Sequence, residues 1–128
     1  MRLRIVVADD NPEFLSAVVS MLRAAEFDVV ATAVDGNAAV ERIREQRPDV
    51  AVLDLGMPGL NGIDVTKAVT NHPSGPAVVI CSVETDPEVV RLAQQAGALG
   101  YVFKVRVGKD LKSAINLALQ GRSFVSSK

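Results

Sequence analysis

Four polar sites, each at the end of a short apolar run, carry the chemical possibilities of this sequence: the pair Asp9-Asp10, then Asp54, Ser82 and Lys104. Carboxylates brought together repel one another, and such a group is sustainable only where a hard cation or an ammonium neutralises it. Mg²⁺ with Lys104 is the natural solution. Any metal must be held by oxygen, because His72 is the single histidine and Cys81 the single cysteine, too few for a His/Cys cage or an internal disulfide. Taken singly, each acidic site has a plainer reading, since an acidic pair after a strand often caps the next helix. The ordered series of carboxylate, hydroxyl and ammonium is what capping needs do not readily produce.

For these groups to meet, the elements carrying them must converge. Apolar runs at Leu3–Ala8, Val29–Ala33, Val50–Leu53, Ala77–Cys81 and Leu99–Phe103 are rich in Val, Ile or Leu and too short for buried helices, so they read as strands. Between them, apolar residues recur at helical spacing, as in Phe14, Leu15, Val18, Val19, Leu22 and in Leu111, Ala114, Ile115, Ala118, Leu119. Asn11-Pro12 and Asp86-Pro87 read as N-cap followed by proline in the first turn, Gly97 and Gly121 suit positions just past helix ends, and Pro48 closes the helix carrying Val40 and Ile43. Strict alternation of strand and helix implies an α/β fold, a parallel sheet covered by helices on both faces and joined by right-handed crossovers. Ligands of such sheets bind outside the carboxyl ends of the strands, which is where the four polar sites fall.

Composition narrows the partners. The 128 residues suit one domain with one core, and 48% apolar but only 4% aromatic content means that the core is built from Val, Ala, Leu and Ile. Fourteen basic against fifteen acidic residues leave a net charge of −1, without the basic footprint of a domain that holds nucleic acid by itself. No apolar stretch reaches the ~18 residues of a membrane span, so the expectation is a soluble, cytoplasmic protein. Residues 1–121 are expected to form the domain and residues 122–128 to begin a linker or fray.

Over essentially its whole length the chain resembles the receiver domain of bacterial two-component response regulators, in the strings Val6-Val-Ala-Asp-Asp10, Asp54-Leu-Gly-Met-Pro-Gly-Leu-Asn-Gly62, Ile80-Cys-Ser82 and Gly100-Tyr-Val-Phe-Lys104. The resemblance implies a (βα)5 flavodoxin-like receiver fold, five parallel strands in the order 2-1-3-4-5. It implies that Asp54 accepts a phosphoryl group from a sensor histidine kinase, and that Asp10, Asp54 and the Gly56 carbonyl ligate Mg²⁺ directly, with Asp9 acting through water. Lys104 would pair with Asp54 before phosphorylation and with a phosphoryl oxygen afterwards, while the Ser82 hydroxyl donates to another. Tyr101 matches the switch aromatic, whose ring moves inward with the hydroxyl; the alternative is an exposed strand tyrosine. Gly56 and Glu84, two beyond Asp54 and two beyond Ser82, would tune dephosphorylation. Met57-Pro58-Gly59 would shape the loop, and Gly62 would allow the backbone conformation that opens the next helix. The module is a phosphoacceptor switch rather than an enzyme.

Two departures from the family pattern stand out: Ser82 takes the place of the threonine also common there, which keeps the hydroxyl, and the residue after Lys104 differs. Val105 stands where many receivers carry a proline after a cis bond, so a trans peptide follows Lys104. Gly121-Arg-Ser-Phe-Val-Ser126 after the last helix resembles the nitrate-regulator type, which implies a C-terminal helix-turn-helix domain that binds promoters, and dimerisation on phosphorylation. A stand-alone receiver docking a protein target, or a phosphate-independent pseudo-receiver, remains the alternative. A haloacid-dehalogenase phosphatase would need an acidic residue where Gly56 stands, and the glycines at 56, 59 and 62 do not form a dinucleotide fingerprint after the first strand. His72 reads as solvated loop and Cys81 as buried structure.

Overall fold

The computed structural model describes residues 2–128. Strands β1 (Arg4–Ala8), β2 (Asp28–Ala33), β3 (Val50–Asp54), β4 (Ala77–Ser82) and β5 (Gly100–Phe103) alternate with helices α1 (Pro12–Ala24), α2 (Gly36–Gln46), α3 (Gly62–Thr70), α4 (Pro87–Ala96) and α5 (Val107–Leu119). A two-residue strand, β6 (Phe124–Val125), completes a parallel sheet in the order β2-β1-β3-β4-β5-β6. The five expected strands fall within a residue of the apolar runs, and their order is the expected one.

The sixth strand corrects the five-stranded expectation, and it changes the reading of residues 122–128. Phe124 pairs with Gly100 and Val125 with Tyr101. The Phe124 and Ser126 amides donate to the Leu99 and Tyr101 carbonyls at 3.0 and 2.9 Å. Ser126 is buried, its hydroxyl accepting from the Phe103 amide at 3.1 Å and donating to Asp110 Oδ2 at 2.7 Å, where Arg106 also donates at 2.9 Å. Open backbone groups on the β5 edge, together with a buried carboxylate on α5, hold the tail down.

Alternation of side chains along the strands builds two cores. One face carries Val6, Ala51, Leu53, Ile80 and Phe103 against Val40, Val65 and Val90 of α2, α3 and α4. The other carries Ile5, Val7, Val52, Cys81 and Val102 against Leu22 of α1 and Leu111 and Ile115 of α5. Both faces being covered explains why these strands read as continuous apolar runs.

Helix ends follow the sequence signals. Asn11 and Asp86 cap α1 and α4 through side-chain oxygens that accept from the Phe14 and Glu88 amides, with Pro12 and Pro87 in the first turn. Gly97 ends α4 at φ 116, and α2 stops at Gln46 with Arg47 left-handed just before Pro48. Lys104 opens a 3-10 turn, Lys104–Arg106, and no cis peptide occurs among the described residues. Gly62 differs from expectation in its physical reason. Its φ is not positive; instead a Cβ there would lie 2.4 Å from the Asp54 carbonyl oxygen, so the first residue of α3 is glycine because the chain passes too close for anything larger.

Candidate functional site

Asp9, Asp10, Asp54 and Lys104 meet at the carboxyl edge of the sheet. They come from the end of β1, the end of β3 at the centre of the sheet, and the residue after β5. The strand order makes this possible: β1 and β3 are neighbours, and the crossover direction reverses between them, opening a crevice at their ends. The three carboxylates offer oxygens within 4.8 Å of one another. Asp9 and Asp54 are buried and Asp10 is exposed, so the group opens to solvent on one side.

Lys104 reaches into this group. Its Nζ lies 2.9 Å from Asp9 Oδ2 and 3.3 Å from Asp54 Oδ1. The sequence paired it with Asp54; it also touches Asp9, and more closely. Burial works against the lysine charge, but hydrogen bonding to Asp9 and the fields of Asp54 and Asp9 outweigh it and push its pKa up. The Asp54 carboxyl is also raised above its ordinary 3.8, first by burial and then by the Asp9 charge, with Lys104 only partly compensating. A buried carboxylate short of compensation is poised for more positive charge.

The residues present fit a hard divalent cation. Asp9 Oδ1 accepts from the Asn11 amide at 2.8 Å, and the buried Oδ2 faces the Lys104 ammonium at 2.9 Å. Beside it stand two further carboxylates. Gly56 lies exposed in the loop after β3, with open space where a side chain would be. Oxygen donors in a small acidic cluster, open to water on one side, are what Mg²⁺ or Ca²⁺ requires.

A second set of residues lies toward the α2–α4 face. Ser82 ends β4, one residue beyond the rung that pairs Asp54 with Cys81, and it is buried. Its Oγ accepts from the Glu84 amide at 3.0 Å. Tyr101 is fully buried, not an exposed strand residue, and its hydroxyl donates to the Glu84 carbonyl at 2.8 Å. Burial raises its phenol pKa, with the nearby Ser82 hydroxyl partly offsetting the rise. The Glu84 side chain is exposed and accepts from the Asp86 amide at 2.9 Å. Alternation thus puts Asp9, Asp54 and Lys104 on the α1/α5 side of the sheet edge and the hydroxyl, phenol and Glu84 loop on the other.

Other sequence candidates lie elsewhere. Cys81 is buried, and burial pushes its thiol up to about 12, which keeps it unreactive. His72 is exposed in the loop before β4, with Nδ1 3.0 Å from Ser74 Oγ. A cleft of about 620 Å³ lined by Ile43, Arg44, Arg47, Val69 and His72 involves none of the acidic residues. No helix among the described residues is long and apolar enough to cross a membrane. The sequence pattern missed Phe14, whose ring lies 4.4 Å below Lys104 Nζ; its place in the first turn after Asp9-Asp10 is the one available signal.

A doubly wound parallel sheet with an acid-and-lysine cluster at its switch point defines a class of α/β modules that bind at the strand ends. The response regulator receiver domain family matches residues 5–116, and the chain belongs to that family. It is 36% identical over 126 residues to the Mycobacterium tuberculosis protein named probable transcriptional regulatory protein NarL, covering 98% of this chain and 58% of that one. It is 39% identical over 120 residues to the DNA-binding response regulator MtrA of Mycolicibacterium smegmatis, covering 94% and 52%. Among solved structures, the signal receiver domain of NarL from M. tuberculosis superposes with a TM-score of 0.89 at 37% identity, covering 94% of this chain and 98% of that one. The chain spans little more than half the length of these curated relatives.

Proposed function

We propose that Asp54 accepts a phosphoryl group from the phosphohistidine of a sensor histidine kinase, with Mg²⁺ held by Asp10, Asp54 and the Gly56 carbonyl and by Asp9 through water. The observation that carries this reading is the buried Asp54 carboxylate at the strand end, 3.3 Å from Lys104 and grouped with two more carboxylates. An Asp54 oxygen attacks phosphorus as the P–N bond of the donor breaks, and the departing imidazole leaves with its proton. The metal supplies charge to offset the oxygens of the transferring group. Lys104 then pairs with one phosphoryl oxygen, and the Ser82 hydroxyl turns from the Glu84 amide to donate to another. That movement frees a donor on the Glu84 loop and alters what Tyr101 holds. Gly56 and Glu84 flank the approach of water and set the lifetime of the phosphoaspartate.

The module assists only its own phosphorylation and dephosphorylation. Its output is control of transcription through a DNA-binding domain outside this chain, the surface change favouring a dimer or releasing that domain. The shares of the relatives covered, and the near-neutral charge of a module that leaves DNA contact to another, support this part.

Intact mass after incubation with acetyl phosphate and Mg²⁺ tests the assignment. Wild type gains one phosphoryl group and Asp54→Asn gains none; equal labelling refutes it.

A further inference from the structure

We propose that Phe14 is a positioning residue for phosphoryl acceptance, its ring face holding the Lys104 ammonium between Asp9 and Asp54; this rests on the function proposed above. An ammonium has three N–H directions. Two carboxylates occupy one side of Lys104, at 2.9 and 3.3 Å, and the Phe14 ring lies on another, its centroid 4.4 Å from Nζ. That distance is within the range of attraction between a cation and an aromatic face. The Lys104 side chain is left only 15% exposed.

Phe14 is held where it can do this. Asp9 Oδ1 accepts from the Asn11 amide at 2.8 Å, and the Asn11 side chain accepts from the Phe14 amide at 3.0 Å. From Phe14 the ring contacts Lys104, and Lys104 returns to Asp9. The contacts form a closed circuit through the first turn of α1. The ring also packs against the core built by Ile5, Val7 and Leu111, so it has a floor. A capping turn needs only Asn11, and any apolar side chain could fill the space. A flat aromatic face against an ammonium adds an electrostatic hold that leucine lacks.

The consequence is preorganisation. Lys104 must exchange a carboxylate partner for a phosphoryl oxygen, and a long, flexible side chain loses much rotamer freedom when it does so. With the ring in place the ammonium faces Asp54 before the phosphoryl group arrives.

The test compares Phe14→Leu, Phe14→Tyr and Phe14→Trp. Phe14→Leu should weaken fluoroberyllate binding and slow phosphorylation by acetyl phosphate about three- to tenfold, the size of a partly exposed cation–aromatic contact. Phe14→Tyr and Phe14→Trp should restore both, and Mg²⁺ titrations without phosphoryl donor should be unchanged throughout. In the NMR spectrum of metal-free wild type, the Lys104 ε-methylene and ammonium protons should be shifted upfield by the ring, and Phe14→Leu should remove the shift. If Phe14→Leu does not fold, Phe14→Met and the wild-type shift decide. Wild type that takes a phosphoryl group on Asp54 while Phe14→Leu matches it, or a wild-type ammonium without the ring shift, overturns the role of Phe14 alone. Wild type that takes none overturns the function beneath it.

Discussion

Gly56, in the loop that leaves β3, and Gly62, at the start of α3, should respond unequally to the same methyl group. A Cβ on Gly62 would meet the Asp54 carbonyl oxygen at 2.4 Å, Leu55 Cα at 3.0 Å and the Asp54 carbonyl carbon at 3.1 Å, all of them backbone atoms. Ordinary contact begins near 3.4 Å, so Gly62→Ala must separate the end of β3 from the start of α3 by about 1 Å, against the packing of a dense interior. The hydrogen bond from the Gly62 amide to the Leu55 carbonyl, 2.8 Å, spans the same gap. Overpacking against backbone costs about 2–3 kcal/mol, and the better helix propensity of alanine returns less than about 1 kcal/mol. The net loss of about 2 kcal/mol lowers Tm by about 8 °C in a domain of this size. Because Asp54 itself is pushed, acetyl phosphate labelling should slow by up to about 10²-fold, the usual cost of a 1 Å misplacement. Gly56→Ala meets nothing within 4 Å and has no positive φ, so its stability should stay within about 0.5 kcal/mol of wild type. Urea denaturation and intact-mass time courses of both variants decide the matter. A Gly62→Ala protein as stable and as fast as wild type would refute the close-approach reasoning.

Asp54→Asn in EDTA should be more stable than wild type at pH 7: the folded pKa of Asp54 lies above its ordinary 3.8, so the carboxylate charge costs stability at neutral pH, and that cost fades as pH falls through the raised pKa toward 3.8. An advantage that grows on acidification contradicts this. Ser126→Ala removes the acceptor of the Phe103 amide and the donor to Asp110; hydrogen exchange at Phe103, Phe124 and Ser126 should accelerate about 5- to 30-fold, matching about 1–2 kcal/mol, with β1 and β3 unaffected. Protection unchanged at those amides would show that backbone pairing alone fixes the tail. Glu84→Ala should change the decay rate of the phosphoaspartate severalfold while leaving urea denaturation unaltered, since the side chain is exposed and bonds only within its loop; equal decay removes Glu84 from the account.

The sequence makes the main sheet legible because both faces are buried: Val50–Leu53 and Ala77–Cys81 are unbroken apolar runs, and such runs hardly arise outside a parallel sheet. The acidic group is legible because strand ends are short-range features, one residue past each run. What stayed hidden depends on partners far apart in the chain. Phe124–Val125 is too brief for any periodicity, and only the open edge of β5 makes it a strand. Tyr101 has the spacing of its apolar neighbours, and nothing local says that its hydroxyl meets the Glu84 carbonyl. Asp9 and Asp54 are equally good partners for Lys104 on paper, and only the crossing of three elements decides that the lysine touches both.

The tail strand has a consequence for how this sheet could be extended. The Leu99 and Tyr101 carbonyls and the Phe103 amide, the groups that another chain's strand would use beside Lys104, are already taken by residues 124–126. A tethered occupant of this kind acts as an intramolecular competitor at an effective concentration on the order of millimolar. Strand addition at this edge therefore requires an invader that outcompetes residues 124–126, while among the described residues no strand pairs along the outer edge of β2.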